Sequence, residues 1–286
     1  MANLKEIRNR ITSVSSTMQI TSAMKMVSAA KLKKAQDAIT AMRPYAEKLT
    51  ELLQNVSASL DGENGSKYSE QRPVNKILVV AITSNRGLSG AFNANIVKQS
   101  KNLVEKIYAG KQVDFVTIGK KGNDIIKKTN TVINNNNSVF DDLTFHNVAA
   151  IAEELMQLFV EGQYDKIELV YNQFKNAATQ IIITEQFLPI VPIESDSKNQ
   201  VDYLFEPSKE QIIEELIPLS LKTQLYKAIR DSFASEHGAR MTAMHKATDN
   251  ATELRNQLKL TYNKARQAAI TNEILEIVGG AEALKA

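Results

Sequence analysis

The stretch "TSNRGLSGAFNANI", residues 83–96, carries the residue types most suggestive of chemistry in this chain. It follows an apolar run, "KILVVAI", so a predicted strand leads through glycines into a predicted helix, as in phosphate-binding loops. A triphosphate-binding loop also needs a Lys and a Ser or Thr directly after its last glycine, because these side chains hold the terminal phosphates and Mg²⁺. Gly87 and Gly90 lie three residues apart with neither partner in place. The pattern favours a tight strand-to-helix connection over a nucleotide site.

Other residues that could do chemistry are poorly placed for it. The loop has only the last spacing of the dinucleotide pattern G-x-G-x-x-G. The sequence contains no Cys, which excludes disulfides and thiolate catalysis. His237 and His245 are eight residues apart on a predicted helix, about 80° apart around its axis, too far to share one metal ion. We therefore predict no catalytic, cofactor or metal site, and expect the chain not to be an enzyme.

Charge is distributed unevenly along the sequence. The 286 residues have a formal net charge of +3, which does not require a nucleic-acid partner. Residues 1–48, however, hold nine Lys or Arg and only three Asp or Glu. Such a segment indicates either a solvated helix face or a surface that meets an acidic partner or phosphate. No apolar run approaches the roughly 18–20 residues that a membrane-spanning helix needs.

Residues 1–57 predict one long helix. After Met1 they contain no Gly, and Pro44 is their only Pro. Apolar or small residues recur at steps of three and four from Leu4 to Val56, which is the spacing of a coiled coil. At 1.5 Å per residue such a helix is roughly 80 Å long, more than a domain of this size can enclose.

A polar, turn-rich segment, residues 58–73, predicts a linker to a domain of different character. Within residues 74–207 four apolar runs predict strands: KILVVAIT, QVDFVTIG, DKIELVYNQF and ATQIIITEQFLPIVP. Two helical patterns, NANIVKQSKNLVEKIY and NVAAIAEELMQLFVEG, lie among them, and "INNNNS" (133–138) predicts a polar loop. Strands that alternate with helices predict an α/β domain with a mostly parallel sheet.

Residues 208–286 return to helical patterning, which Pro218 interrupts once. Alanine dominates the centre of the apolar seam, and small residues allow two helix backbones to approach closely. Each terminal helix must bury its stripe, and the other terminal helix is the nearest partner. The predicted fold is therefore an α/β domain inserted between two helices that pair as a long antiparallel coiled coil. The C-terminal helix is the longer, so its last turns are expected to project as a single-helix tip.

The motifs at both ends of the chain resemble one protein family. Residues 4–36, "LKEIRNRITSVSSTMQITSAMKMVSAAKLKKAQ", resemble the N-terminal helix of the gamma subunits of F-type ATP synthases. Residues 235–254, "SEHGARMTAMHKATDNATEL", and 262–284, "YNKARQAAITNEILEIVGGAEAL", resemble their C-terminal helix. Residues 85–93, "NRGLSGAFN", are similar to the family's D-R-G-L-C-G-x-x-N loop. The resemblance covers effectively the whole chain.

In that family the loop belongs to a Rossmann-like domain and is not a nucleotide site, so the resemblance implies a non-catalytic Rossmann-like insert. Asn85 replaces the usual Asp and Ser89 stands where Cys is common, which removes a charge and a thiol from these positions.

The resemblance also implies a rotor shaft. Its coiled coil would stand inside a hexamer of alpha and beta subunits, and its insert would contact the epsilon subunit and the membrane c-ring. Ion flow would turn the ring and the shaft together, and beta would make the ATP. The implied location is peripheral, at the cytoplasmic face of the bacterial plasma membrane.

Matching motifs imply the residues that contact these partners. The positions facing an acidic segment of beta are Met24, Lys25, Met26 and Arg240. A catch that hydrogen-bonds beta loops is implied at Arg266, Gln267 and Thr271, and a foot near the c-ring and epsilon at Tyr203 and Glu206.

Two other functions stay open on the residues alone. A coiled-coil adaptor would bind nucleic acid or an acidic membrane through the basic N-terminal helix, and its binding would weaken steeply with salt. A small-molecule enzyme housed in the α/β insert would be stabilised against heat by a nucleotide.

Overall fold

The structure, a computed structural model, describes residues 4–58, 67–190 and 209–283. Within these ranges both terminal segments are helical, with α1 spanning Leu4–Ala58 and α5 spanning Lys209–Ala283. The two long helices predicted from the three-four spacing are thereby confirmed. Pro44 lies inside α1 and Pro218 inside α5. The interruption predicted at Pro218 does not end the helix. Proline has no backbone N–H to donate, but α5 continues on both sides of it.

Five strands of the described chain form a sheet in the order β3-β2-β1-β4-β5. Their bounds are β1 Lys76–Ile82, β2 Gln112–Ile118, β3 Val132–Asn135, β4 Lys166–Phe174 and β5 Gln180–Leu188. β1 pairs in parallel with β2 and β4, and β2 with β3, whereas β5 runs antiparallel to β4. The shorter helices are α2 Phe92–Asn102, α3 Lys120–Ile126 and α4 Phe145–Val160. The mostly parallel α/β sheet is thus confirmed.

The central strand β1 is buried on both faces because helices cover both sides of the sheet. Its odd-numbered residues belong to a cluster that includes Ile96 of α2 and Ile126 of α3. Leu78, Val80 and Ile82 belong to a cluster that includes Leu155 of α4 and Leu225 of α5. The beginning of α5 is therefore part of the core of the α/β domain.

Contacts divide the chain into two compact units. One unit runs from Ala29 to Arg240 and contains the sheet. The other combines the chain up to Ser28 with the chain from Met241 onward. The domain limits predicted from composition, at residues 57, 73 and 207, are drawn on a different basis and stay predictions.

In the second unit, α1 and α5 pack against each other in opposite directions. The hydroxyl oxygens of Thr21 and Thr248 are 2.8 Å apart, and the Thr252 hydroxyl donates to Met18 Sδ at 3.3 Å. As α1 advances from residue 18 to 21, its partner on α5 recedes from 252 to 248. The predicted antiparallel pairing is therefore confirmed. Thr21 and Ala251 are both buried in this pairing.

Two short elements differ from the prediction. The predicted polar loop 133–138 is wrong in its first part, because Val132–Asn135 forms the edge strand β3. An edge strand pairs on one side only, and its polar side chains can be satisfied locally. The Thr117 hydroxyl, for example, donates to Asn135 Oδ1 at 3.1 Å. Helix α3 was not predicted either. It is only seven residues long, which is too short for a helical periodicity to be recognised in the sequence.

None of the helices in the described part of the chain combines the length and apolarity that crossing a membrane requires.

The helix pairing can be tested by disulfide formation. We expect Thr21→Cys with Thr248→Cys to link on mild oxidation, because the two hydroxyl oxygens already lie in contact and the protein has no other Cys. Non-reducing electrophoresis and peptide mass mapping would report the link. In a control chain carrying Thr21→Cys with Thr271→Cys, the second Cys lies about 35 Å farther along α5 and should stay unlinked within one chain. Linking in the control but not in the first pair would contradict this register.

Candidate functional site

The loop after β1 is closed tightly against the end of β2. The Thr83 amide donates to the Ile118 carbonyl at 2.8 Å, and the Gly122 amide donates to Thr83 Oγ1 at 2.9 Å. A Cβ added to Gly119, whose φ is +111°, would lie 2.4 Å from the Thr83 carbonyl oxygen. Glycine is required here because another backbone occupies the side-chain position. The segments that follow β1 and β2 thus pack tightly against each other.

The polar groups of the loop are bonded to one another. Ser84 donates its amide to Asn93 Oδ1 at 2.9 Å and its hydroxyl to the Arg86 carbonyl at 2.6 Å. The Asn93 side-chain amide also donates to Ser84 Oγ at 2.8 Å and to Ser89 Oγ at 3.3 Å. Leu88 and Gly90 take positive φ values of 61° and 60°, which folds the loop back on itself. The side chains of Ser84, Ser89 and Asn93 are thus bonded within the loop.

Asn85 uses both ends of its amide. Its Nδ2 donates to the Asn137 carbonyl at 2.8 Å, and its Oδ1 accepts from the Lys120 amide at 3.0 Å. A carboxylate could accept from Lys120 but could not donate to Asn137. Asn85, which stands where the family usually has Asp, therefore links this loop to the segments that follow β2 and β3.

The crevice where doubly wound sheets bind ligands is occupied by α5. In the strand order β3-β2-β1-β4-β5, the connections diverge between β1 and β4, and ligands of such folds bind beyond the carboxyl ends of these strands. Here Ser235 Oγ donates to the Asn172 carbonyl at the end of β4, at 3.0 Å. Gly238 packs so closely that a Cβ would lie 3.1 Å from Cα of Ala177. The chain's own helix takes the ligand's place.

Arg240 closes this crevice from the β1 side. Its Nη2 donates to the Arg86 carbonyl at 3.1 Å and its Nε to the Gly87 carbonyl at 3.3 Å. The same guanidinium forms an ion pair with Glu236 at 2.6 Å, and Arg240 is only 7% exposed. Burial raises the pKa of Glu236, and the charges of Arg240, Lys31 and Arg86 oppose that rise. The pair is a buried, mutually compensating charge cluster at the sheet's switch point.

Sequence reasoning missed this cluster. The hydrogen bonds of Arg240 to the loop join residues more than 150 positions apart, so no local sequence pattern predicts them. Arg240 itself was singled out, but for a contact with the beta subunit. The structure instead gives it partners within its own chain and leaves little of its surface free. Its contact with beta stays a prediction.

The other predicted contact residues lie on α1 and α5. Met24 and Lys25 are half-buried, whereas Met26 is 65% exposed. The predicted catch residues are all exposed on the late part of α5: Arg266, Gln267 and Thr271. The Thr271 hydroxyl donates to the Gln267 carbonyl at 2.9 Å, so these two lie one turn apart on the same face. Tyr203 and Glu206 fall outside the described residues.

The last described turns of α5 expose an apolar surface. Every residue from 266 to 281 is exposed, as the predicted single-helix tip requires. Five of them are large apolar residues with about half or more of their surface accessible: Ile270, Ile274, Leu275, Ile277 and Val278. Exposed apolar surface of this kind is typical of an interaction site.

The histidines do not form a metal site. Among the described residues no group of three or more His, Cys, Asp or Glu side chains could hold a metal ion. His237 is buried beside the Arg240 cluster, and its Nδ1 lies 3.4 Å from Arg240 Nη1. Burial, followed by the charges of Arg240 and Lys31, lowers the pKa of His237 to about 3. His237 is therefore neutral in the folded chain at physiological pH. The exposed His146 lies in the first turn of α4, whose N-terminus is capped by Thr144.

We expect His237 to make folding pH-dependent. Below its ordinary pKa of 6.5 the unfolded chain takes up a proton on His237 while the folded chain does not, so stability falls as pH drops from 6.5 towards 3. The slope is about 1.4 kcal/mol per pH unit. In urea unfolding at pH 7, 6 and 5, the free energy of unfolding of the parent should fall more steeply with decreasing pH than that of His237→Gln. The exposed control His245→Gln should change the profile much less, and parallel curves for parent and His237→Gln would contradict a buried neutral His237.

The filled crevice also predicts that the isolated chain neither binds nor hydrolyses ATP. The loop lacks the Lys and hydroxyl beside Gly87 and Gly90, and α5 occupies the space beyond β1 and β4. Titration calorimetry of the purified chain with Mg-ATP should give no saturable heat. A saturable micromolar affinity would refute this reading of the loop.

Comparison with known proteins places the chain among its relatives. The family model described as ATP synthase matches residues 3–284. The ATP synthase gamma chain of Flavobacterium psychrophilum is 77% identical over 286 residues, with 100% of both chains covered. That of Flavobacterium johnsoniae is 76% identical over 285 residues, covering 99% of both chains, and that of Geobacter metallireducens 45% over 287 residues, covering 100% of both.

Solved structures of similar fold come from ATP synthases. The rotor of the Euglena gracilis mitochondrial enzyme in rotational state 1 superposes with a TM-score of 0.69 at 23% identity, covering 93% of this chain and 98% of that one. The central stalk and c-ring structure of the Tetrahymena thermophila mitochondrial enzyme contains a chain with a TM-score of 0.58 at 26% identity, covering 80% of this chain and 99% of that one. Because the family model spans nearly the whole sequence and a relative of 77% identity aligns along its full length, this chain belongs to the family of ATP synthase gamma chains.

Proposed function

We propose that the chain is the central rotor shaft of a bacterial F-type ATP synthase and transmits torque between the ion-driven c-ring and the catalytic beta subunits. As a member of the gamma-chain family it is a non-catalytic subunit. The observation that carries the proposal is the long α5, whose start lies in the core of the α/β domain and whose end is an exposed apolar helix. A helix so built joins a folded base to a surface that another protein must cover.

The partners follow from the two ends of this element. Alpha and beta subunits surround the paired helices and the α5 tip, and the α/β domain rests against epsilon and the c-ring. Three solved ATP synthase structures of similar fold, one of a rotor, one of a central stalk with c-ring and one of an F1 with c-ring, support this assignment. The chain attaches peripherally to the cytoplasmic face of the plasma membrane, which is where a bacterial complex with these partners would hold it.

Individual contacts are proposed on both helices. Met24, Lys25 and Met26 face an acidic segment of beta, and exposure of Met26 together with half-exposure of its two neighbours supports a contact there. On α5, three exposed residues form the catch for beta loops: Arg266, Gln267 and Thr271. Tyr203 and Glu206 form the foot near epsilon and the c-ring, by motif alone.

Co-expression with alpha and beta tests the proposal as a whole. An affinity tag on this chain should recover all three proteins in one complex, and native mass determination should give one copy of this chain per hexamer. Recovery of the chain without alpha and beta would overturn the shaft assignment. Salt-sensitive binding to nucleic acid or anionic vesicles in its place would favour the adaptor.

We expect Met24→Lys to uncouple rotation from pumping. Met is flexible and uncharged, so it can pass changing neighbours without preferring any of them. A cation at this position would meet carboxylates on each beta subunit in turn, with an interaction of about 1 kcal/mol at each stop. The complex should assemble and hydrolyse ATP, but pump fewer ions per ATP in inverted vesicles.

Met24→Leu is the matched control, because it keeps size and neutrality and should pump like the parent. If Met24→Lys pumps as well per ATP as the parent, Met24 does not face the acidic segment and its assignment fails.

A further inference from the structure

We infer that the switch point of the sheet has become a mechanical joint, in which Arg240 locks the loop of residues 84–90 to helix α5. In doubly wound folds this crevice is where strand ends meet a ligand. Here the same strand ends meet residues 235–240 of α5, and the contacts are directional hydrogen bonds. Arg240 is a positioning residue in this joint, acting on the loop backbone.

The geometry of the guanidinium supports the joint. Arg240 uses Nε and Nη2 on two consecutive carbonyls, those of Gly87 and Arg86, and Nη2 also reaches Glu236. A planar fork that meets two carbonyls fixes both the distance and the orientation of the loop relative to the helix. Lysine could keep the ion pair with Glu236, but its single ammonium lacks this fork.

The loop is shaped to be held in this way. Ser84 Oγ accepts from Asn93 and donates to the Arg86 carbonyl, which Arg240 then shares. The side chains of Arg86 and Leu88 point outward and are exposed, with Leu88 64% accessible. The backbone faces α5, and the side chains are left for other contacts. The joint thus sets the position in which the loop presents them.

The β4 side of the crevice supplies a second hold. Ser235 Oγ donates to the Asn172 carbonyl at 3.0 Å, and a Cβ added to Gly238 would lie 3.1 Å from Cα of Ala177, closer than an ordinary contact. Bonds on both sides of the crevice resist rotation of α5 about its own axis, whereas apolar packing alone is non-directional and resists it less. For a shaft this would carry torque between helix and sheet, a consequence that rests on the proposed function.

Hydrogen exchange of the isolated full-length chain tests the joint itself. The reporters are the Ser84 amide, bonded to Asn93, and the Lys121 amide, bonded to the Ser84 carbonyl at 3.0 Å. In Arg240→Lys we expect both to exchange about tenfold faster than in the parent, because the fork that holds the loop is lost. Ser235→Ala, a milder change, should accelerate exchange at the end of β4 near Asn172.

The control is Arg230→Lys. Arg230 also lies on α5 and donates to a carbonyl, that of Leu143 at 2.7 Å, but outside the crevice. It should leave the two reporters at the parent rate. Unchanged reporters in Arg240→Lys would overturn the joint, and so would acceleration spread equally over the whole sheet, which would mark a general loss of stability.

A second measurement addresses torque. In the assembled complex, stalled by nucleotide and fixed through the hexamer, a probe on the α/β domain should fluctuate over a wider angle in Arg240→Lys than in the parent or in Arg230→Lys. Equal fluctuation would overturn the torsional role. If the parent chain does not assemble, the proposed function fails, while the exchange result still decides whether the joint exists.

Discussion

Burial of α5 side chains is the constraint on which both compact units depend. In the unit that contains the sheet, α5 contributes Leu221, Leu225 and Ile229 to the larger core, each 3% exposed or less. In the other unit, Thr248 and Ala251 of the same helix pack in the pair with α1. Helices of this length gain most of their stability from such packing and little from propensity. Without α5, one face of the sheet would keep only the cover that α4 provides, and α1 would lose its partner.

The same helix occupies the crevice of this doubly wound sheet. Strand order and handedness create the crevice in any such fold, and residues 235–240 of α5 lie in it here. Glu236 and Arg240 fill it with a buried pair, and a buried pair is tolerated only when both charges are compensated and hydrogen-bonded. The carbonyls of Arg86 and Gly87 supply part of that compensation. Loop and helix therefore depend on each other.

How far the sequence carries the argument depends on the range of the interactions. The long helices and four of the strands are set by patterns within one segment, and these were predicted. Strand β3 was missed because its asparagines lack the apolar pattern of a buried strand. Such polar residues are tolerated at the edge of a sheet. The Arg240 cluster was missed because it joins distant parts of the chain. The tip of α5 was predicted from helix lengths alone, because the longer of two paired helices must extend beyond the shorter one.

The described contacts separate two kinds of surface on α5. At the switch point the helix is held by directional bonds from Ser235 and Arg240, which have strong preferences for one orientation. Near its end it exposes Ile270, Ile274 and Ile277, spaced four and three residues apart along one face. Apolar contact depends on area and little on orientation. The bonds at the switch point therefore fix the orientation of α5 against the sheet, whereas the apolar residues near its end offer a contact surface that restricts orientation little.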